Sequence, residues 1–173
     1  MTRALLLGIL ALLLAAPPAR GQAEPSRPVA WDVARAVLID PTTYVPAVIS
    51  YKSMMSDWKT SQVLFANGWR EANPRYTVTG LPNDVPLSYG DGKDRIRGAS
   101  LKVLQYSALN NALAGVGERL LISKYPHRKK LIRTLSWVER IGYASFIAYR
   151  NSADHLRQAR TNRQLAREFG YAR

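Results

Sequence analysis

His127 and His155 are the only imidazoles in a chain that contains no cysteine. The lack of cysteine excludes disulfides, thiolate metal sites, a thiol nucleophile and a lipid-modified N-terminal cysteine. Neither a His-x-x-x-His nor a His-Glu-x-x-His spacing occurs, so zinc has no helical ligand pair. His127 stands in a basic turn before Arg128, Lys129 and Lys130, and His155 follows Asp154 on a polar helical stretch. Neighbouring helix positions point about 100° apart, so Asp154 does not orient His155 as a triad carboxylate would. Both histidines therefore read as surface residues.

The carboxylates that the fold could bring together are Glu71, Asp84, Asp91, Asp94, Glu118 and Glu139. Glu118 and Glu139 stand out because each sits in an apolar helical run beside an arginine, Arg119 or Arg140. Buried there, they must be paired or shifted in pKa. One reading makes them the acid–base pair of a small hydrolase-like enzyme, with the Trp69–Gly92 segment over a cleft. The commoner explanation is a set of structural ion pairs across two helices, and that is the expectation. Asp91-Gly-Lys-Asp94 imitates a calcium loop, but Lys93 intrudes and no terminal Glu follows, so it reads as a turn with Asp94 as a helix cap. No Gly-x-Ser-x-Gly elbow and no glycine-rich phosphate loop is present. No catalytic residue, cofactor or metal site is assigned.

Charge is the stronger signal. The formal net charge is +13 over 173 residues. Arg119 to Arg173 holds thirteen basic residues against three acidic ones, Glu139, Asp154 and Glu168. Within it Arg157, Arg160, Arg163 and Arg167 recur at helical spacing and form one positive ridge. Such a ridge suits an anionic partner, although a basic face that merely keeps the chain soluble is an equal competitor.

The elements that position these residues follow from periodicity. Met1 to Ala23 has the form of a secretory signal: Arg3, an apolar run from Ala4 to Ala16, then Pro17-Pro18 and small residues up to Ala23. Thirteen helical residues span about 20 Å, short of a hydrocarbon core of about 30 Å. Residues 24–173 then form a single domain, with short helices over 29–68: Val29–Ile39, Tyr44–Met55 and Trp58–Ala66, the last stopped by Asn67-Gly68. From 69 to 93 proline and glycine punctuate a long ordered loop, anchored by Tyr76, Leu81, Val85, Leu87 and Tyr89. Two long helices follow, at 95–123 and 131–169, joined by Tyr125-Pro126-His127.

A short turn makes these two helices antiparallel neighbours. Their apolar stripes are Leu101, Leu104, Ala108, Ala112 and Gly115, flanked by Leu109, Leu113, Val116 and Leu120, and Leu131, Leu135, Val138, Gly142, Ser145, Tyr149 and Leu156. Gly142 and Ser145 should meet Ala108–Ala112 at a close helix contact. Ile141–Tyr149 is apolar almost all round, which predicts cover on more than one side. The fold class is thus all-α: a small helical bundle built on a long antiparallel helical hairpin, with a long irregular loop before it.

The two long helices carry Lys102, Glu118, Arg119, Arg133, Glu139 and Arg140, and each such charge costs about 2.5–3.5 kcal/mol at mid-bilayer, so no transmembrane span is expected in the mature chain. The function expected is that of an exported, periplasmic or extracellular, non-enzymatic protein. It binds anionic lipid, lipopolysaccharide or an acidic protein through Arg157, Arg160, Arg163 and Arg167. Nucleic acid is not an expected partner in that compartment. The hydrolase-like reading and an oligomeric scaffold packed through Ile141–Tyr149 are the alternatives.

Overall fold

The computed structural model describes residues 29–171. The signal expected at Met1–Ala23 lies outside the described residues. Four helices carry the fold: α1 (Val29–Leu38), α2 (Pro41–Phe65), α3 (Tyr89–Lys124) and α4 (Lys129–Glu168). Among the described residues there is no strand, only isolated bridges pairing Glu71 with Asp84 and Thr77 with Pro86. The fold is all-α, a bundle on the long α3–α4 hairpin with an irregular loop before it.

Local chemistry sets the helix ends. Asp40 caps α2, accepting from the Thr42 amide at 3.0 Å and the Thr42 hydroxyl at 2.7 Å, with Pro41 in the first turn. The segment expected to break a helix therefore also starts the next one. No gap separates Met55 from Trp58, and the two short helices expected there are one. At its far end Gly68 has φ +87°, and the amides of Gly68 and Trp69 return to the carbonyls of Phe65 and Leu64. α3 begins six residues before the expected Arg95 because Ser88, not Asp94, is the cap. Ser88 Oγ accepts from the Asp91 amide and donates to the Asp91 carboxylate at 2.6 Å, a reciprocal box. Asp94 instead pairs with Arg97 at 3.1 Å.

α2 is the element that the sequence underrated. It lies in the groove of the hairpin and touches both long helices along its length. Against α3 it runs antiparallel: Asn111 donates to Thr42 and Thr43 at 2.9 and 2.7 Å, and Trp58 Nε1 donates to the Tyr89 carbonyl at 3.1 Å. Against α4 it runs parallel: Asp40 meets Arg140, Asp57 meets His155, and Ser61 meets Asn162. α3 and α4 are joined directly by Glu118, which reaches Arg133 at 3.7 Å and Arg140 at 3.6 Å. Gly142 was expected at a close contact, yet a Cβ added there would meet nothing within 4 Å, and Ser145 is exposed. The glycine that does serve close approach is Gly92, where a Cβ would run into the Trp58 indole.

Burial inverts the expected pattern. The buried faces of α3 and α4 carry Ile96, Val103 and Ile132 but are otherwise small or polar, with Ser100, Ser107, Asn111, Ala144, Ala148, Ser152, Ala159, Asn162 and Ala166, opposite Thr43, Ser50, Ser53 and Ser61 of α2. The stripes read as core point outward: Leu101, Leu109, Leu113 and Leu120 on α3, and Leu131, Leu135, Val138 and Tyr149 on α4. Ile141–Tyr149 is covered on one side only, with Ala144 and Ala148 buried, Phe146 52% exposed and Tyr149 72% exposed. Small side chains let the axes approach. Asn111 bonds across the contact to Thr42 and Thr43, and Asn162 to Ser61. Ser53, Ser100 and Ser152 bond back to their own helices, and the Ser50 and Ser107 hydroxyls have no partner among the described residues. A cluster of large buried apolar residues exists beside the loop, where Met54, Met55, Trp58 and Ile96 pack with Tyr51, Phe65, Tyr76 and Leu87.

Candidate functional site: a cleft between α2, α4 and the loop

The loop closes one end of the bundle and leaves a cleft of about 420 Å³ beneath residues 69–76. Four backbone hydrogen bonds join the two arms of the loop, between Glu71 and Asp84 in both directions, from Val78 to Val85, and from Leu87 to Tyr76. Of its expected anchors, Tyr76 and Leu87 pack on the core, while Leu81, Val85 and Tyr89 are exposed.

His155 and Asp57 meet in this cleft. The His155 Nδ1 lies 2.7 Å from Asp57 Oδ2, joining α4 to α2. An ionised carboxylate only accepts, so Nδ1 carries a proton in this contact, and Nε2 is a lone pair in the neutral form of the ring and a second N–H in the charged form. The other Asp57 oxygen accepts from Asn162 Nδ2 at 3.2 Å, and Asn162 also donates to Ser61 Oγ at 2.8 Å. Gln158 Nε2 donates to the Asn162 Oδ1 at 2.9 Å. Asn162 is 2% exposed, so this scaffold is fixed from inside the bundle.

Glu71 enters from the loop. Its Oε1 accepts from the Asn73 amide at 2.7 Å. Burial pushes the Glu71 carboxyl above its ordinary value, and the neighbouring Asp57 charge pushes the same way. Tyr76, in the same wall, is also raised by burial. Trp58, Trp69 and Tyr76 line the apolar side. Trp58 and Tyr76 stand 5.5 Å apart, and Trp69 meets Phe169 edge-on at 5.6 Å. Among the described residues, no group of three His, Asp or Glu side chains could hold a metal ion.

Of the candidate site residues singled out from sequence, Glu71 and His155 line the cleft and the others fall elsewhere. The His155 expectation was wrong: the ring is not a surface group but the partner of a carboxylate 98 positions away. No periodicity could reveal that pair, since each residue is an isolated polar position on its own helix. His127 is exposed, with its ring edge-on to Tyr125. Glu118 is in the Arg133–Arg140–Asp40 ion network, and Glu139 lies outside the cleft, its carboxyl raised by partial burial. On the outer face of α4, Arg160, Arg163 and Arg167 border one shallow groove with Gln164 and Glu168. Arg157 pairs with Asp154 at 3.5 Å, and Arg163 donates to Ser56 Oγ at 3.0 Å.

No protein-family model matches this chain, and no curated protein or solved structure matches it either.

Proposed function

We propose that this is an exported protein that docks on an anionic membrane, with its apolar belt against acyl chains and its basic groups on headgroups. The observation that carries this reading is the inverted burial: large apolar side chains outside, small polar ones between helices. A folded chain in water hides such side chains, and large contiguous apolar surfaces mark interaction sites. The belt is continuous on α4. Leu131, Leu135, Val138, Phe146 and Tyr149 recur on one exposed face over about 27 Å at 1.5 Å per residue. Of the charges that interrupt this run in sequence, Arg140 is withdrawn, its side chain 14% exposed and paired to Asp40 and Glu118, whereas Arg133 and Glu139 are exposed.

Charge complementarity favours lipid over a second copy. Arg160 lies 11 residues, about three turns, beyond Tyr149, so the basic ridge continues the apolar stripe along the same face. Lys129, Lys130 and Arg133 flank the other end. Two copies placed belt to belt in parallel would bring like charges together; an anionic bilayer meets both parts of the face at once. No helix among the described residues is long and apolar enough to cross a membrane. The reading is therefore of a bundle seated at the interface.

Co-sedimentation with phosphatidylglycerol and with phosphatidylcholine vesicles tests it. Changing Arg157, Arg160, Arg163 and Arg167 to Gln should remove the salt-sensitive part of binding, at about 1 kcal/mol per basic group near the surface. Changing Phe146 and Tyr149 to Ser should remove the salt-resistant part. Salt-insensitive binding that survives both changes, or a stable dimer that buries the belt and ignores vesicles, refutes it.

A further inference from the structure

We propose that the cleft between α2, α4 and the loop binds a primary ammonium group. The site would be held by Asp57, His155 and Glu71 against the rings of Trp58, Trp69 and Tyr76. In a chain of net charge +13, this cleft runs the other way. Its lining includes Asp57, Glu71 and Asp154, while its one arginine, Arg70, reaches towards Asp84 at 4.0 Å. A cation placed there relieves the repulsion between two partly desolvated carboxylates.

The kind of cation follows from the geometry. The acidic and imidazole groups do not converge tightly enough for a bare metal ion. Aromatic walls suit a larger, more weakly hydrated cation, attracted to the ring faces. The acceptors favour a group with N–H donors over a quaternary one. In the neutral form of its ring His155 offers the Nε2 lone pair, because Asp57 holds the proton on Nδ1, and Glu71 adds a carboxylate oriented by the Asn73 amide on its Oε1. Asn162 and Gln158 hold Asp57 in place from below, so the acceptors are organised before any ligand arrives. Such a group could be a free amine or the ethanolamine head of a phospholipid. The site does not depend on the membrane reading, since a free amine would fill it in solution.

The experiment is thermal shift and tryptophan emission of the purified full chain with ethanolamine, tetramethylammonium and the neutral ethylene glycol. Ethanolamine is expected to raise the Tm and change the emission of the cleft tryptophans, tetramethylammonium to do so more weakly, and ethylene glycol to do neither. Glu71→Gln, which removes a charge from the loop without touching the helix packing, should weaken ethanolamine binding at least tenfold. His155→Ala should do the same, and His127→Ala should leave it unchanged. Competition by phosphatidylethanolamine vesicles but not phosphatidylglycerol vesicles would assign the ligand to a lipid head, and its absence to a free amine. Equal responses to ethanolamine and ethylene glycol, or ethanolamine affinity unchanged in both Glu71→Gln and His155→Ala, would overturn the proposal.

Discussion

The two ends of α2 are built on opposite chemistry. From Tyr51 to Phe65 it packs Met54, Met55 and Trp58 against Ile96, Tyr76 and Leu87, in the manner of a protein folded by burying apolar area. From Thr43 to Ser50 it offers hydroxyls and Pro46 to its neighbours and turns Val45, Val48 and Ile49 outward. There the helices are held by close approach and by Asn111 bridging Thr42 and Thr43. One helix thus takes part in a water-type core at the loop end and a lipid-type contact at the hairpin end. The lesson is that apolar content fixes how much a helix can bury, but not which of its faces does the burying.

The comparison can be broken most directly at Trp58. Trp58→Ala should cost about 3–5 kcal/mol, because it empties the large-residue cluster beside the loop and leaves Gly92 facing a void. Urea unfolding followed by circular dichroism would measure it, and a loss below about 1 kcal/mol would mean that the loop end is not a conventional core. At the hairpin end Asn111→Ala should cost less, about 1–3 kcal/mol, by leaving the buried Thr43 hydroxyl without its donor. Equal losses at the two sites would erase the distinction drawn between them.

Glu71 adds a pH test confined to the loop end. Its carboxyl is raised in the folded chain by burial first and by Asp57 second. The folded state therefore holds the proton more tightly than the unfolded one. Stability should be greatest below the ordinary carboxylate value and fall as pH rises through the folded value. Glu71→Gln should flatten that fall and raise the Tm at neutral pH relative to the wild type. An unchanged slope in a pH series of melting curves would count against the assigned environment. The smallest effect is expected on the belt. Leu113→Ser, at a side chain 58% exposed, should stay within about 0.5 kcal/mol in aqueous urea titrations. A larger loss would show that the outward stripe is covered in solution.

Much of the fold was legible in the residues. The hairpin, the turn at Pro126, the stop at Gly68 and the loop after it follow from proline, glycine and 3.6-residue spacing. Register was not legible. The sequence places Leu109, Leu113, Leu135 and Val138 on regular stripes, and a regular apolar stripe is read as core by default. Ser107, Asn111, Ala144 and Ala148 form equally regular stripes, but small and polar residues give no signal on a scale that counts hydrophobicity. The cleft was less legible still. Glu71 was among the carboxylates weighed, whereas Asp57 carried no mark, and His155 was read against its neighbour Asp154 because chain proximity was the only proximity known.

The sequence alone settled what is local or summed: that the chain is helical, the stop at Gly68 and the turn at Pro126, the charge excess, the helical spacing of the basic residues, and the absence of thiols and zinc motifs. Those depend on a residue and its near neighbours, or on totals. Only the tertiary structure decided that α2 fills the hairpin groove, that the apolar stripes face outward, and that Asp57, Glu71 and His155 share one cleft. Each of these is a long-range pairing, set by which faces fit when three helices pack.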